Sequence, residues 1–147
     1  MILDTQSRLS SAQSIAAAAG DVASTDQYDT GSAADVGIGQ ELFLQIMTVA
    51  AVTSAGAATV QFVLQTSDSS TFASGNVEFP LTAALALAAL TANTIQYRGR
   101  LPVGLKRYLR VLYRIGTATT TGGTATAFLA NDLQAAPAVA TTVPGVK

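Results

Sequence analysis

Six of the eight basic residues of this 147-residue chain lie close together: Arg98, Arg100, Lys106, Arg107, Arg110 and Arg114. Six of the nine acids lie far upstream, between Asp4 and Glu41. Guanidinium groups at that density must meet carboxylates, phosphate or water. One reading is internal: the arginines pair with the chain's own acidic N-terminal third, each exposed pair contributing little. The other is external: they form a docking face for an acidic protein surface. Nucleic acid fits less well, because the net charge is −1 and only Tyr108 is placed for stacking on that face. An anionic membrane is disfavoured on the same charge grounds.

Catalytic chemistry finds few of its usual groups. There is no histidine and no cysteine. The commonest general base, the commonest metal ligand and thiolate chemistry are therefore missing together. Asp26, Asp29, Asp35 and Asp68 are oxygen donors that calcium could use, but they sit in separate loops without EF-hand spacing. They read better as Asp residues bonding their own turns. Gly37-Ile-Gly39 lacks the third glycine and the following helix of a dinucleotide fingerprint. Two glutamates, Glu41 and Glu78, are not placed together by any motif. No base, nucleophile and orienter can be assembled, so the sequence predicts a non-enzyme with no cofactor and no small-molecule substrate.

The arginines belong to the stretch around which the chain is organised, Gly104 to Gly116. Leu109, Val111, Tyr113 and Ile115 alternate strictly with Tyr108, Arg110, Leu112 and Arg114. That period of two predicts a half-buried strand. Thr94 to Leu101 alternates as well, and Pro102-Val-Gly104 between them suggests a hairpin. In that hairpin Arg98, Arg100, Arg110 and Arg114 would share one sheet face.

Further strands are predicted over Glu41–Val49 and Thr59–Thr66, with Val77–Pro80 as a short edge and Thr124–Gln134 as the last. Ser10–Ala19 reads as a strand, followed by a turn at Gly20-Asp21. Met1–Gln6 is an extended start, 31–40 a glycine loop, Thr53–Ala58 a connector and Thr117–Gly123 a turn. Thr82–Ala92 leans to loop or strand. The predicted core is Leu42, Leu44, Ile46, Val60, Phe62, Leu64, Leu109, Val111, Tyr113 and Ile115. Thr59, Gln61, Val63 and Gln65 are expected to face outward.

Many short strands and no convincing helix predict an all-β, single-domain sandwich or jelly roll over residues 1–134, with a low-complexity tail over 135–147. Apolar residues make up 49% and charged residues 12%, and much of the surface must be Ala, Ser and Thr. Charge that sparse suits packing against other protein better than standing alone in water. The longest apolar run, Ala83–Leu90, is far short of the roughly 20 residues of a membrane-spanning helix. Asp4 sits where a secretory signal would be basic, so synthesis in a cytoplasm is expected.

Several segments taken in order resemble a known family. They are Met1-Ile-Leu-Asp-Thr-Gln6 with Ser11-Ala-Gln13, Asp35-Val-Gly-Ile-Gly39, and Ser54-Ala-Gly-Ala-Ala-Thr-Val-Gln-Phe62 with Leu64-Gln-Thr-Ser-Asp68. Arg107-Tyr-Leu-Arg110 with Tyr113 and Gly116, and then Ala125–Asp132, complete the series. The pattern, from Met1 to about Gln134, resembles the jelly-roll capsid cement (decoration) proteins of short-tailed bacteriophages; the tail after Ala135 lies outside it. The resemblance implies a virion protein on the outer surface of the capsid. It implies the major capsid protein as partner and self-association as a homodimer, or a trimer. The expected contact residues are Met1, Ile2, Leu3 and Asp4 of the N-terminal arm, with Arg98, Arg100, Arg110 and Arg114. The competing readings are a carbohydrate- or receptor-binding virion module, disfavoured by the absence of Trp, and a head–tail connector component.

Overall fold

The computed structural model of the chain describes residues 5–31 and 41–131. The expectations placed on Met1–Asp4, on the glycine loop of 32–40 and on the 135–147 tail lie outside those residues.

The described chain is all-β apart from two 3₁₀ turns, Thr5–Ser7 and Leu87–Ala89. Its strands are β1 (Arg8–Ser14), β2 (Gly20–Ala23), β3 (Tyr28–Asp29), β4 (Phe43–Ser54) and β5 (Thr59–Ser67). They continue as β6 (Val77–Pro80), β7 (Leu85–Ala86), β8 (Thr94–Arg100), β9 (Tyr108–Gly116) and β10 (Thr120–Ala130). One sheet, here sheet A, has the order β1-β10-β4-β8. Sheet B has the order β2-β9-β5-β6, with β3 extending β2 along β9 and β7 extending β6 along β5. All pairings are antiparallel. Counting each extension with its parent leaves eight strands. Sheet A then holds the first, eighth, third and sixth, and sheet B the second, seventh, fourth and fifth, which is the strand order of a jelly roll.

The core lies between the sheets. Leu9, Leu44, Ile46, Ala127 and Leu129 point inward from sheet A, and Val60, Phe62, Leu64, Leu109, Val111, Tyr113 and Ile115 from sheet B. Each large side chain removed from water contributes about 1.5–3 kcal/mol. Nine of the ten predicted core residues are buried; Leu42, just before β4, is half-buried and packs on the core from its margin. Phe62 and Tyr113 meet edge to face, with centroids 5.9 Å apart and planes at 90°. The Tyr113 hydroxyl crosses the sandwich and hydrogen-bonds Ser10 Oγ on β1. The partner lets a phenol sit where no water reaches.

The predicted hairpin does not form. β8 pairs with β4 in sheet A, while β9 lies in sheet B between β2 and β5. The segment after β8 crosses from one sheet to the other, burying Leu105 on the way, and Gly104 takes φ +83 there. Period-two alternation and a Pro-Gly turn are common to a hairpin and to a sheet-to-sheet crossover, so neither signal separates them.

Other boundaries shift as well. Gly20-Asp21 opens β2 rather than forming a turn; the bend falls at Ala18-Ala19. A 3₁₀ turn over Thr5–Ser7 takes in the end of the predicted extended start, Met1–Gln6. β4 runs on through the predicted connector to Ser54, and β10 begins inside the predicted turn at Thr120. The β10 bulge is built by Gly122-Gly123; a Cβ on Gly123, at φ +121, would stand 2.9 Å from the Val52 backbone.

Candidate interaction surface

Strand register decides what each outer face displays, because directly paired residues share a face. On the outside of sheet B, Asp21, Arg114 and Gln61 form one row. Ala23, Leu112, Val63 and Pro80 form the next. Arg110, Gln65 and Glu78 form the third.

The polar rows are wired to each other. Arg114 donates from Nε to Asp21 Oδ1 at 2.8 Å, and from its terminal nitrogen to Asp21 Oδ2 at 3.0 Å and Glu78 Oε2 at 2.9 Å. Gln65 Nε2 donates to Glu78 Oε1 at 3.0 Å and its Oε1 accepts from Arg110 Nε at 2.7 Å. The Arg110 guanidinium lies 4.1 Å from the centroid of the buried Phe72 ring. One connected network therefore spans the face from edge strand β2 to edge strand β6. Val63 and Leu112 stand between the two rows that the network joins, and with Gln65 they are buried, at 0%, 3% and 5% exposure, although alternation assigned them outward.

The electrostatics follow the geometry. Arg114's hydrogen bond holds the Asp21 carboxyl below its ordinary value, outweighing the opposing effect of burial. Asp21 and Glu78 in turn raise Arg114, and burial lowers Arg110. At the end of the same sheet Arg107 forks onto both Asp29 oxygens at 2.8 and 3.0 Å and lies over the Tyr108 ring. Asp29 also accepts from Gly31 N at 2.8 Å, the turn-bonding role expected for these aspartates. Lys106 pairs with Asp68 at 3.0 Å and donates to Gly75 O.

The outside of sheet A is built differently. Its rows are Ala130, Phe43 and Arg100; then Arg8, Phe128, Gln45 and Arg98; then Thr126, Met47 and Ile95. Phe43 and Met47 are half-buried and Ile95 is 49% exposed. Arg100 lies 5.8 Å from the Phe43 centroid and bridges Glu41 at 2.6 Å, both side chains being at least half exposed. Arg8 Nε is buried without a hydrogen-bond partner.

The structure thus divides the predicted contact residues. Arg98 and Arg100 stand on sheet A, and Arg110 and Arg114 on the opposite side of the sandwich, so the four do not share a face. Met1, Ile2, Leu3 and Asp4 lie outside the described residues. The internal reading of the arginines holds for three of them, since Arg114, Arg107 and Arg100 pair with Asp21, Asp29 and Glu41 of the acidic N-terminal third. Glu78 and Gln65 lie outside that third and were not singled out, because local sequence holds no signal for partners on other strands. Phe43 and Met47 were legible, since β4 alternates with apolar residues on both faces. Among the described residues no group of three or more His, Cys, Asp or Glu is arranged to hold a metal ion.

No curated protein matches the chain. A family model does: the family described as Bbp16 matches residues 9–129, from the second residue of β1 to the last but one of β10. The match takes in both sheets, the crossovers between them and the wired outer face of sheet B, and on that extent the chain belongs to the Bbp16 family.

Proposed function

We propose that this chain is a structural virion protein that binds the outside of an assembled phage head, at contacts between major capsid subunits, and stabilises the shell. Its partners are the major capsid protein and a second copy of itself. A clip that touches two subunits binds only the assembled state, so it shifts assembly by mass action. Many copies per shell multiply a modest contact.

The observation that carries the reading is the use made of the charged groups. On sheet B they brace the body: the Asp21–Arg114–Glu78 bridge ties edge strand β2 to edge strand β6 across the two strands between them. A jelly roll braced in this way passes load between two attached subunits instead of yielding to it. The resemblance of Ser54–Phe62, Arg107–Arg110 and Ala125–Asp132 to cement proteins supports the same reading.

The test is co-sedimentation of the purified protein with expanded heads that lack it, read as copies bound per shell. Saturation at a number comparable to the count of capsid subunits is the expected result. No binding, or a handful of copies confined to vertices, overturns it in favour of a connector component or a receptor-binding module.

A further inference from the structure

The connection between β5 and β6, residues 68–76, is polar in composition and largely exposed, with one exception. Phe72 stands in the middle of Ser69-Ser-Thr-Phe-Ala-Ser74 and is only 6% exposed. Its backbone takes φ +53, in the left-handed region that a bulky side chain avoids. A cost of that kind persists only where surrounding contacts impose it.

Two basic side chains supply such contacts. The Arg110 guanidinium lies against the Phe72 ring, 4.1 Å from its centroid. Lys106 holds both arms of the loop. Its Nζ pairs with Asp68 at 3.0 Å on the outgoing arm and donates to Gly75 O at 2.7 Å on the returning one. Its backbone N donates to Thr66 Oγ1 at 2.8 Å, which fixes the lysine at the root of the loop. Within the loop, Phe72 N donates to Ser69 O at 3.1 Å and Asn76 Nδ2 donates to Phe72 O at 2.8 Å, so the turn around Phe72 is a self-contained unit.

We propose that the β5–β6 loop is an ionic latch: Lys106 locks it shut, and Phe72 is the plug that it seats against Arg110. Closed, the latch keeps the ring from water and covers one face of the guanidinium, whose Nε is committed to Gln65. Open, it presents an aromatic ring and a guanidinium side by side on the outer face of sheet B. Opening costs the ring its burial and Lys106 its two partners. It also returns the backbone of Phe72 to an ordinary conformation, which offsets part of that cost. The side chains of the Lys106–Asp68 pair are 29% and 63% exposed, so salt weakens the lock. The latch is a property of the free protein and does not depend on the shell-binding reading.

Phe72 itself reports the state of the loop. A protease that cuts after aromatic side chains reaches it only when the loop is open, and the cutting rate follows the open fraction. Lys106→Met keeps the stem and removes the ammonium; it is expected to raise the rate of cutting after Phe72 about tenfold. Asp68→Asn alters an exposed side chain and leaves the core untouched; it is expected to raise the rate about threefold. Between about 0.05 and about 0.5 M salt, native protein is expected to gain about threefold in rate relative to Lys106→Met under the same conditions. Cuts at Phe62 or Tyr113, both fully buried, report global unfolding instead. Where Lys106→Met fails to fold, Asp68→Asn decides alone. Native protein cut after Phe72 as fast as the variants overturns the latch. So does a Phe72 cut that appears only together with cuts at Phe62 and Tyr113, because the loop then opens only when the whole fold does.

Discussion

Replacing Tyr113 by Phe removes one oxygen from the middle of the sandwich and leaves the ring against Phe62. Ser10, fully buried, then loses its partner. A buried hydroxyl left without a partner costs about 1–3 kcal/mol, so the variant should be less stable by that amount near neutral pH. The same oxygen has a second, pH-dependent signature. Burial pushes the Tyr113 hydroxyl from 10 up to about 12, against the opposing hydrogen bond from Ser10. A raised value in the folded state means the contribution is complete below the unfolded value, near 10, and is lost as pH rises towards about 12. At about 1.36 kcal/mol per unit, native protein loses about 1.4 kcal/mol through this residue by about pH 11, and the Phe variant loses none there. Tyr97, raised by its own burial, is present in both proteins and cancels. Urea unfolding at about pH 8 and about pH 11, followed by circular dichroism, should show the gap between the two proteins narrowing by about 1.4 kcal/mol. A gap of the same size at both values would refute the argument, because Tyr113 would then ionise as readily folded as unfolded. The double variant Tyr113→Phe with Ser10→Ala should recover most of the neutral-pH loss, since both polar partners are then gone.

Phe62→Ala should cost about 3–5 kcal/mol in urea unfolding, because the side chain is fully buried between the sheets; a change under about a tenth of that would mean Phe62 is not core. Asp21 is held below the ordinary carboxylate value by Arg114, so its contribution is present above the unfolded value near 4 and is lost as pH falls through the lower folded one. Asp21→Asn should therefore flatten the acid limb of the stability curve, and an acid limb as steep as that of native protein counts against the pairing.

Alternation was enough to read the core. The inward residues of β4, β5 and β9 follow from a period of two, and burial confirms them. What alternation could not supply is what stands above the other face. Val63 and Leu112 were assigned to solvent because a lone strand has two faces, one of them wet. Here the rows of Arg110 and Arg114, fixed by Asp21, Gln65 and Glu78 on other strands, flank them on both sides, and both are buried. The same limit produced the hairpin. Local pattern identifies β8 and β9 as strands, but the sheet each joins is settled by long-range pairing with β4 and β5. Gathering four arginines on one face required the wrong pairing, and the sheet A group of Phe43, Met47, Ile95 and Arg8 becomes visible only with the right one.

The strand order also has a consequence for how the chain is made. β5 pairs with β9, and β1 with β10, so neither sheet can close until the last third of the polypeptide has been synthesised. Between the emergence of Ser67 and of Gly116 a ribosome working at about 5–20 residues per second needs about 2–10 s. For that interval Val60-Gln-Phe-Val-Leu64 waits without its central partner, an uncharged and strongly β-forming segment. Asp68 is the first charge to follow it. Chaperone capture during translation, or inclusion bodies when synthesis outruns it, is the behaviour this topology imposes on the nascent chain.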